Sequence, residues 1–270
     1  MINLQKLYDI QKVLNDAKYP DYKRVSKEIL DYVKDEKQLQ KILKEIKKYK
    51  PWEYIRGSVE FYALEFKINK NVLIPRIETE KLVSIGIQEF KDKKFDTVVD
   101  VGTGSGCVII SLVKSLMLPT IYKGKIKDIK FVATDIDNKA LPVVKKNIKE
   151  HQLNEVIKAH KADLISKLKL EGKNVLILAN LPYIPTAQYK ELNESVRMYE
   201  PKIALDGGKD GNKYYRKLAE QLAKSKLKSF TLILETEESI IQETQKIFKK
   251  YKTQVIKDIQ EKDRFLIVRN

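Results

Sequence analysis

A chain of 270 residues, 43% hydrophobic and 33% charged, can bury a core as one large domain or as a medium domain with a small appendage. No apolar run approaches the roughly 18 residues a membrane span needs, the polar opening MINLQKLYDI does not read as a signal peptide, and a single cysteine leaves no internal disulfide, so no membrane contact and a cytoplasmic setting are expected. The net charge of +16 fits either attraction to an anionic partner or a lysine-solvated surface, and because the lysines are spread along the chain rather than clustered, charge alone selects neither.

Residues 1 to about 50 carry apolar side chains at helical spacing: Leu4, Leu7, Val13 and Leu14, then Val25, Ile29, Leu30 and Val33, then Leu39, Ile42, Leu43 and Ile46. The Pro-Asp signal in KYPDYKR (18–24) separates the first two helices, and residues 1–55 are expected to form a small helical bundle. From Gly57 the period changes to two. SVEFYALEFKINKNVLIP predicts a β-hairpin linker over 56–75, with Asn69 to Asn71 as its turn. Pro75 ends it, and IETEKLVSIGIQEF returns to the helical period.

Residues 76–270 then alternate strand with helix. Strands are expected at 96–102, 129–135, within EVIKAHKAD, at 174–180 and at 230–235, with helices at 107–116, over KALPVVKKNIKEH, at 213–225 and at 238–250. The pattern predicts an α/β fold, a Rossmann-like doubly wound sheet. TQVIKDI and RFLIVR leave no room for a helix between them and should form an antiparallel C-terminal hairpin at the end of the sheet.

DVGTGSGC (100–107) follows the first strand of this unit and opens a helix. Gly102, Gly104 and Gly106 allow a tight turn and close approach of a ligand, with Thr103 and Ser105 between them. Asp135 ends the next strand, where a carboxylate can take ribose hydroxyls. It lies 33 residues beyond Gly102, more than the roughly 20 of a dinucleotide fold, and LPTIYKGKIKD (118–128) accounts for the excess as an insertion. The compact G-x-G-x-G spacing favours S-adenosylmethionine over a dinucleotide. Asp163, after the third strand, could reach the adenine side of the pocket or could simply cap a loop. Cys107 reads as a small packed residue rather than a nucleophile.

ILANLPYIP (177–185) places Asn180 at the carboxyl end of the fourth strand, where open α/β sheets bind ligands. The amide of Asn180 offers an acceptor, Pro182 stiffens the loop so that the Leu181 carbonyl can face the site, and Tyr183 supplies a flat face. Together they suit a planar NH2 group, gripping both hydrogens and localising a lone pair otherwise delocalised into the π system. No metal and no covalent intermediate are expected.

DVGTGSG, TDID, ANLPYIP and EPKIALDGGKDG (200–211), preceded by VLIPRIETEKLV (72–83), resemble the peptide chain release factor glutamine N5-methyltransferases. The resemblance covers essentially the whole chain. It implies a substrate-binding helical domain, residues 1–55, joined through a hairpin to a class I methyltransferase, which methylates the glutamine of the Gly-Gly-Gln motif in class I release factors. It implies that Gly102, Thr103, Gly104, Ser105, Gly106, Asp135, Asp163, Leu164 and Asn180 hold S-adenosylmethionine, whose product is S-adenosylhomocysteine. It also implies that Asn180, Leu181, Pro182 and Tyr183 hold the substrate glutamine, with Asn180, Pro182 and Tyr183 catalytic. Leu181 stands where the family usually has proline, and Leu164 where some members have an aromatic. A monomer with no required nucleic acid is expected.

An adenine N6-methyltransferase acting on rRNA or DNA presents nearly the same planar amino group, and the clamp alone does not separate the two. The flanks do: about 95 residues precede the glycine loop, and the chain ends in strands rather than a helical domain. A non-catalytic scaffold of the same fold is disfavoured by intact Gly102, Gly104, Asp135 and Asn180.

Overall fold

The computed structural model describes residues 4–19, 21–122, 124 and 126–270; Pro20 of the expected Pro-Asp turn and residues 123 and 125 of the insertion lie outside the described residues. Helices α1 (Leu4–Asp16), α2 (Tyr22–Tyr32) and α3 (Glu36–Ile46) form where the apolar spacing places them, but in α1 the buried face is Ile10 and Leu14, and Leu4 of the expected stripe is 75% exposed. They close on a core of their own, built from Ile10, Leu14, Val25, Ile29, Ile42 and Ile46 among others. Asp35 caps α3 by accepting the Gln38 N–H at 2.7 Å, which satisfies one of the donors a helix start leaves unpaired. A short helix absent from the sequence reading, α4 (Trp52–Arg56), completes this unit between Pro51 and the left-handed Gly57. Its Trp52 is fully buried and its indole N–H donates to Glu28 at 3.0 Å, so tertiary packing sustains a helix too short to stand alone.

The hairpin pairs β1 (Ser58–Phe61) with β2 (Leu64–Lys67) through a two-residue turn at Tyr62–Ala63, not at Asn69–Asn71. Tyr62 and Ala63 both take positive φ, 53° and 56°, the geometry that matches strand twist but is usually reserved for Asn-Gly. The Glu80 carboxylate explains the exception: it accepts the Tyr62 N–H at 2.6 Å and pins the turn from the helix that follows. Asn69–Asn71 forms a separate turn after β2, with the Asn71 N–H donating to the Asn69 side chain at 2.9 Å.

The main sheet has seven strands in the order β5-β4-β3-β6-β7-β9-β8. β3 (Thr97–Val101), β4 (Lys130–Asp135), β5 (Ile157–Lys161), β6 (Asn174–Asn180) and β7 (Ser229–Glu235) are parallel. The last two, β8 (Lys252–Lys257) and β9 (Asp263–Arg269), form the antiparallel hairpin, with β9 placed between β7 and β8. Alternate residues of the strands face opposite layers. Val98, Phe131, Leu176, Leu178 and Ile233 share one core with helices α5 (Glu80–Asp92), α6 (Cys107–Leu116) and α7 (Leu141–Glu150). Val99, Val132, Ile177, Leu232 and Leu266 share the other core.

On that second face, Leu218 and Leu222 come from the helix Lys213–Lys224, while Ile240 and Phe248 flank the helix Ile241–Ile247. The latter helix is shorter than the expected 238–250. The long segment after β6, read as a loop, contains a further helix, Glu194–Tyr199, capped by the Asn193 side chain. Pro142 lies in the first turn of α7, where no intrahelical N–H is required of it. No helix among the described residues is long and apolar enough to cross a membrane. The chain leaves β3 toward β4 and β5, then returns on the other side of β3 as β6. That reversal opens a crevice at the carboxyl ends of β3 and β6.

Candidate active site

The crevice is a cleft open to solvent, lined by the glycine loop, Asp135, Asp163 and Asn180 among others. The glycine loop forms its floor. Gly102, Gly104 and Gly106 take φ of 70°, 54° and 84°, conformations costly for any residue with a Cβ. A Cβ on Gly106 would also stand 2.7 Å from Val144, so this glycine lets α6 and α7 close together. The Thr103 N–H donates to the Thr134 carbonyl at 2.9 Å, and its hydroxyl donates to the Asp100 carboxyl at 2.6 Å. Asp100 is buried at the end of β3, and burial pushes its pKa up to about 7 despite the Thr103 and Ile109 hydrogen bonds.

Asp135 lies at the cleft wall. One carboxylate oxygen accepts the Gly104 N–H at 3.0 Å and the other accepts the Asp137 N–H at 2.9 Å, so the acid also braces the glycine loop. Burial raises its pKa against these hydrogen bonds. Asp163 and Leu164 line the far end. Asp163 is ion-paired with Lys217, and Leu164, buried at φ 57°, offers its carbonyl to the Thr134 hydroxyl at 3.0 Å. The Cys107 thiol lines the cleft but burial pushes its pKa up to about 12, which leaves it protonated.

Asn180, Leu181 and Pro182 line the cleft beside the glycine loop. The Asn180 amide donates to the Thr79 hydroxyl oxygen at 3.0 Å, and among the described residues nothing donates to its carbonyl oxygen. Leu181 is buried, and a Cβ on Gly102 would come within 3.1 Å of its side chain. The leucine thus packs directly over the glycine loop. Tyr183 is not part of the cleft wall. Its ring packs with the second core, near Glu235 and Arg264, and burial raises its pKa. The flat face expected of it is turned to the interior because the chain after Pro182 is drawn under the segment 205–211. There the Ile184 N–H donates to Leu205 and the Gly207 N–H to Ile184, at 3.0 and 2.8 Å.

Three residues that the sequence reading did not assign to the site belong to its wall or its frame. Arg76 and Thr79 line the cleft, and Glu200 holds Arg76 at 2.5 Å while its second oxygen accepts the Ile74 N–H at 3.1 Å. Arg76 therefore pairs across 124 residues. Both residues lie in segments that carry the resemblance, VLIPRIETEKLV and EPKIALDGGKDG, and this ion pair is the physical join between them. Among the described residues, no group of three or more His, Cys, Asp and Glu side chains is disposed to hold a metal ion.

The model of the methyltransferase small domain family matches residues 83–197, the stretch that carries the glycine loop, Asp135 and Asn180. The release factor glutamine methyltransferase of Flavobacterium psychrophilum is 34% identical over 239 residues, covering 86% of this chain and 79% of that one. That of Dictyoglomus turgidum is 34% identical over 232 residues, covering 84% and 77%. Among solved structures, the hMettl16 catalytic domain in complex with a MAT2A 3'UTR hairpin superposes with a TM-score of 0.54 at 16% identity. The match covers 77% of this chain and 75% of that one, and it shows a shared methyltransferase fold.

Proposed function

The chain belongs to the release factor glutamine methyltransferase family, and on that premise we propose that it transfers a methyl group from S-adenosylmethionine to the side-chain amide nitrogen of a glutamine. The substrate is the Gly-Gly-Gln motif of class I peptide chain release factors. S-adenosylmethionine, when bound, supplies an electrophilic methyl on a sulfonium. The cleft fits such a group: its lining is free of Cβ atoms at Gly102 and Gly104, and Asp135 puts a carboxylate on its wall. Gly102 to Gly106, Asp135, Asp163 and Leu164 would hold it.

The observation that carries the reading is the state of Asn180. Its N–H is engaged by Thr79 while its carbonyl oxygen stays an unclaimed acceptor at a cleft whose floor is the glycine loop. A glutamine amide is a poor nucleophile because its lone pair is conjugated with the carbonyl. The Asn180 oxygen takes one amide hydrogen and the Leu181 carbonyl the other, which draws the nitrogen toward pyramidal geometry and orients it for in-line attack. The nitrogen so oriented would accept the methyl group that bound S-adenosylmethionine would supply, and the proton it gives up would pass to solvent. Pro182 stiffens the acceptor loop, and Tyr183 supports that loop from behind. The helical residues 1–55 would recognise the release factor, with the hairpin of 56–75 as the joint. The protein would act as a monomer in the cytoplasm without nucleic acid.

Mass spectrometry of a purified release factor and of rRNA fragments, each incubated with the enzyme and S-adenosylmethionine, tests this. One added methyl on the Gly-Gly-Gln peptide is expected, and Asn180→Ala should abolish it while the fold persists. Methylated adenine with an unmodified peptide would establish the adenine reading instead.

A further inference from the structure

Asn180 can serve as an acceptor only if its amide is held one way round. A rotation of 180° would aim the NH2 at the cleft and repel the amide hydrogens of a substrate. The rotation is decided by the neighbour, because a threonine hydroxyl has one proton to give and two lone pairs with which to accept. If Thr79 gave its proton to Asn180, the asparagine oxygen would turn inward and the clamp would be reversed.

A second group competes for that proton. Asn180 and Glu235 are ladder partners at the carboxyl ends of β6 and β7, so their side chains leave the sheet together. Thr79 arrives from the turn Ile77–Thr79 and is buried over both strand tips. Its hydroxyl interacts with the Glu235 carboxyl, the strongest of the contacts that oppose the effect of burial there. Glu235 is 1% exposed, and its Oε2 has no hydrogen-bond partner among the described residues. A buried carboxylate this short of donors is the strongest claimant for the hydroxyl hydrogen bond, and a neutral carboxyl still offers its carbonyl oxygen as an acceptor. Arg76, Glu78 and Arg264 also act on it electrostatically, while the Tyr215 hydroxyl bonds only its backbone carbonyl.

We propose that Thr79 and Glu235 are positioning residues: Glu235 takes the Thr79 proton, Thr79 is thereby fixed as an acceptor for the Asn180 N–H, and the Asn180 oxygen is held toward the substrate. This rests on the methyl-transfer reading above. Neither side chain touches the reacting atoms. The pair acts by setting the polarity of the one that does.

The test uses full-length Thr79→Val, which keeps the shape and loses the hydroxyl, beside Thr79→Ser, which keeps the hydroxyl. The first readout needs no substrate: the side-chain amide resonances of Asn180 in a 15N-labelled protein, assigned by their disappearance in Asn180→Asp. The hydrogen-bonded proton should move upfield in Thr79→Val and stay in place in Thr79→Ser. The second readout is methylation of the release factor. Thr79→Val should lower kcat on the order of 10- to 100-fold with S-adenosylmethionine affinity unchanged by calorimetry, and Thr79→Ser should recover most of it. An unmoved Asn180 resonance in Thr79→Val, or a serine variant as impaired as the valine one, overturns the proposal. If the wild-type enzyme left the glutamine unmethylated, the function would be misassigned, and a moved resonance would still establish the orientation set by Thr79.

Discussion

Replacing Gly207 with alanine would drive a methyl group into the backbone that carries the clamp. A Cβ there would stand 2.7 Å from the Pro182 carbonyl oxygen, 2.7 Å from the Gly211 carbonyl oxygen and 2.8 Å from the Tyr183 carbonyl carbon. Carbon and carbonyl oxygen normally approach no closer than about 3.3 Å, so about half an ångström must open against both carbonyls at once. Gly207 cannot swing aside, because its N–H is held by Ile184 at 2.8 Å and its carbonyl by the Lys213 N–H at 3.1 Å. The segment from Leu181 to Tyr183 has to give. Overpacking of this kind costs about 1–3 kcal/mol of stability, and displacing an acceptor by a sizeable fraction of an ångström costs on the order of 10- to 100-fold in kcat. Urea unfolding and release-factor methylation would report the two effects. Gly172→Ala is the control: φ is 69° but nothing lies within 4 Å, so it should lose about 1 kcal/mol to backbone strain and no activity. A Gly207→Ala enzyme with wild-type kcat and an unchanged unfolding midpoint would refute the claim that this glycine sets the position of the clamp.

Three other perturbations follow from the site. Asp135→Ala removes the carboxylate proposed to hold the cofactor and, with it, the brace on the Gly104 N–H, and should weaken S-adenosylmethionine binding by about 1–3 kcal/mol in calorimetry; unchanged affinity would remove Asp135 from the site. Glu235→Gln tests the buried acid, whose pKa burial lifts from 4.5 to about 7. Between those values the folded wild type binds more protons than the unfolded chain, so its stability falls as pH rises through the window and levels off above it. The glutamine variant lacks this loss, and its stability relative to wild type should therefore climb by on the order of 3 kcal/mol from pH 4.5 to pH 8 in urea titrations; a flat difference would contradict the raised pKa. Arg76→Ala strands the Glu200 carboxyl, 1% exposed, with the Ile74 N–H as its remaining donor. Because Arg76 itself is 37% exposed and partly screened, the loss should be about 1–3 kcal/mol rather than the larger figure for a fully buried pair, read from the urea midpoint.

The layered sheet was legible because both periodicities were clean. β6 spans the predicted 174–180 and α6 the predicted 107–116, since each is an apolar run bounded by a polar residue or a glycine. The hairpin turn was not legible. Asn69–Asn71 has turn chemistry and Tyr62–Ala63 has none, yet Glu80, 18 residues on, holds the tight turn at Tyr62. The same limit applies at the site. A glycine loop and an asparagine at a strand tip are local signals. Thr79 gains its meaning only from Asn180, 101 residues away, and Arg76 from Glu200, 124 residues away. Tyr183 reads as an exposed platform in isolation, but the hydrogen bonds between 184 and 207 turn its ring inward.

One buried amide gives the two parts of the molecule a common fate. Asn147, on α7, exchanges hydrogen bonds with the backbone of Lys67 in the hairpin, at 2.8 and 2.9 Å, and donates to the Ser105 carbonyl in the glycine loop at 2.8 Å. A shift of the hairpin at Lys67 therefore has a direct hydrogen-bonded route, through this side chain, to the glycine loop proposed to hold the methyl donor. Thermodynamic reciprocity makes the traffic two-way: whatever factor release-factor docking adds to the grip on the methyl donor, the methyl donor must return to the grip on the release factor.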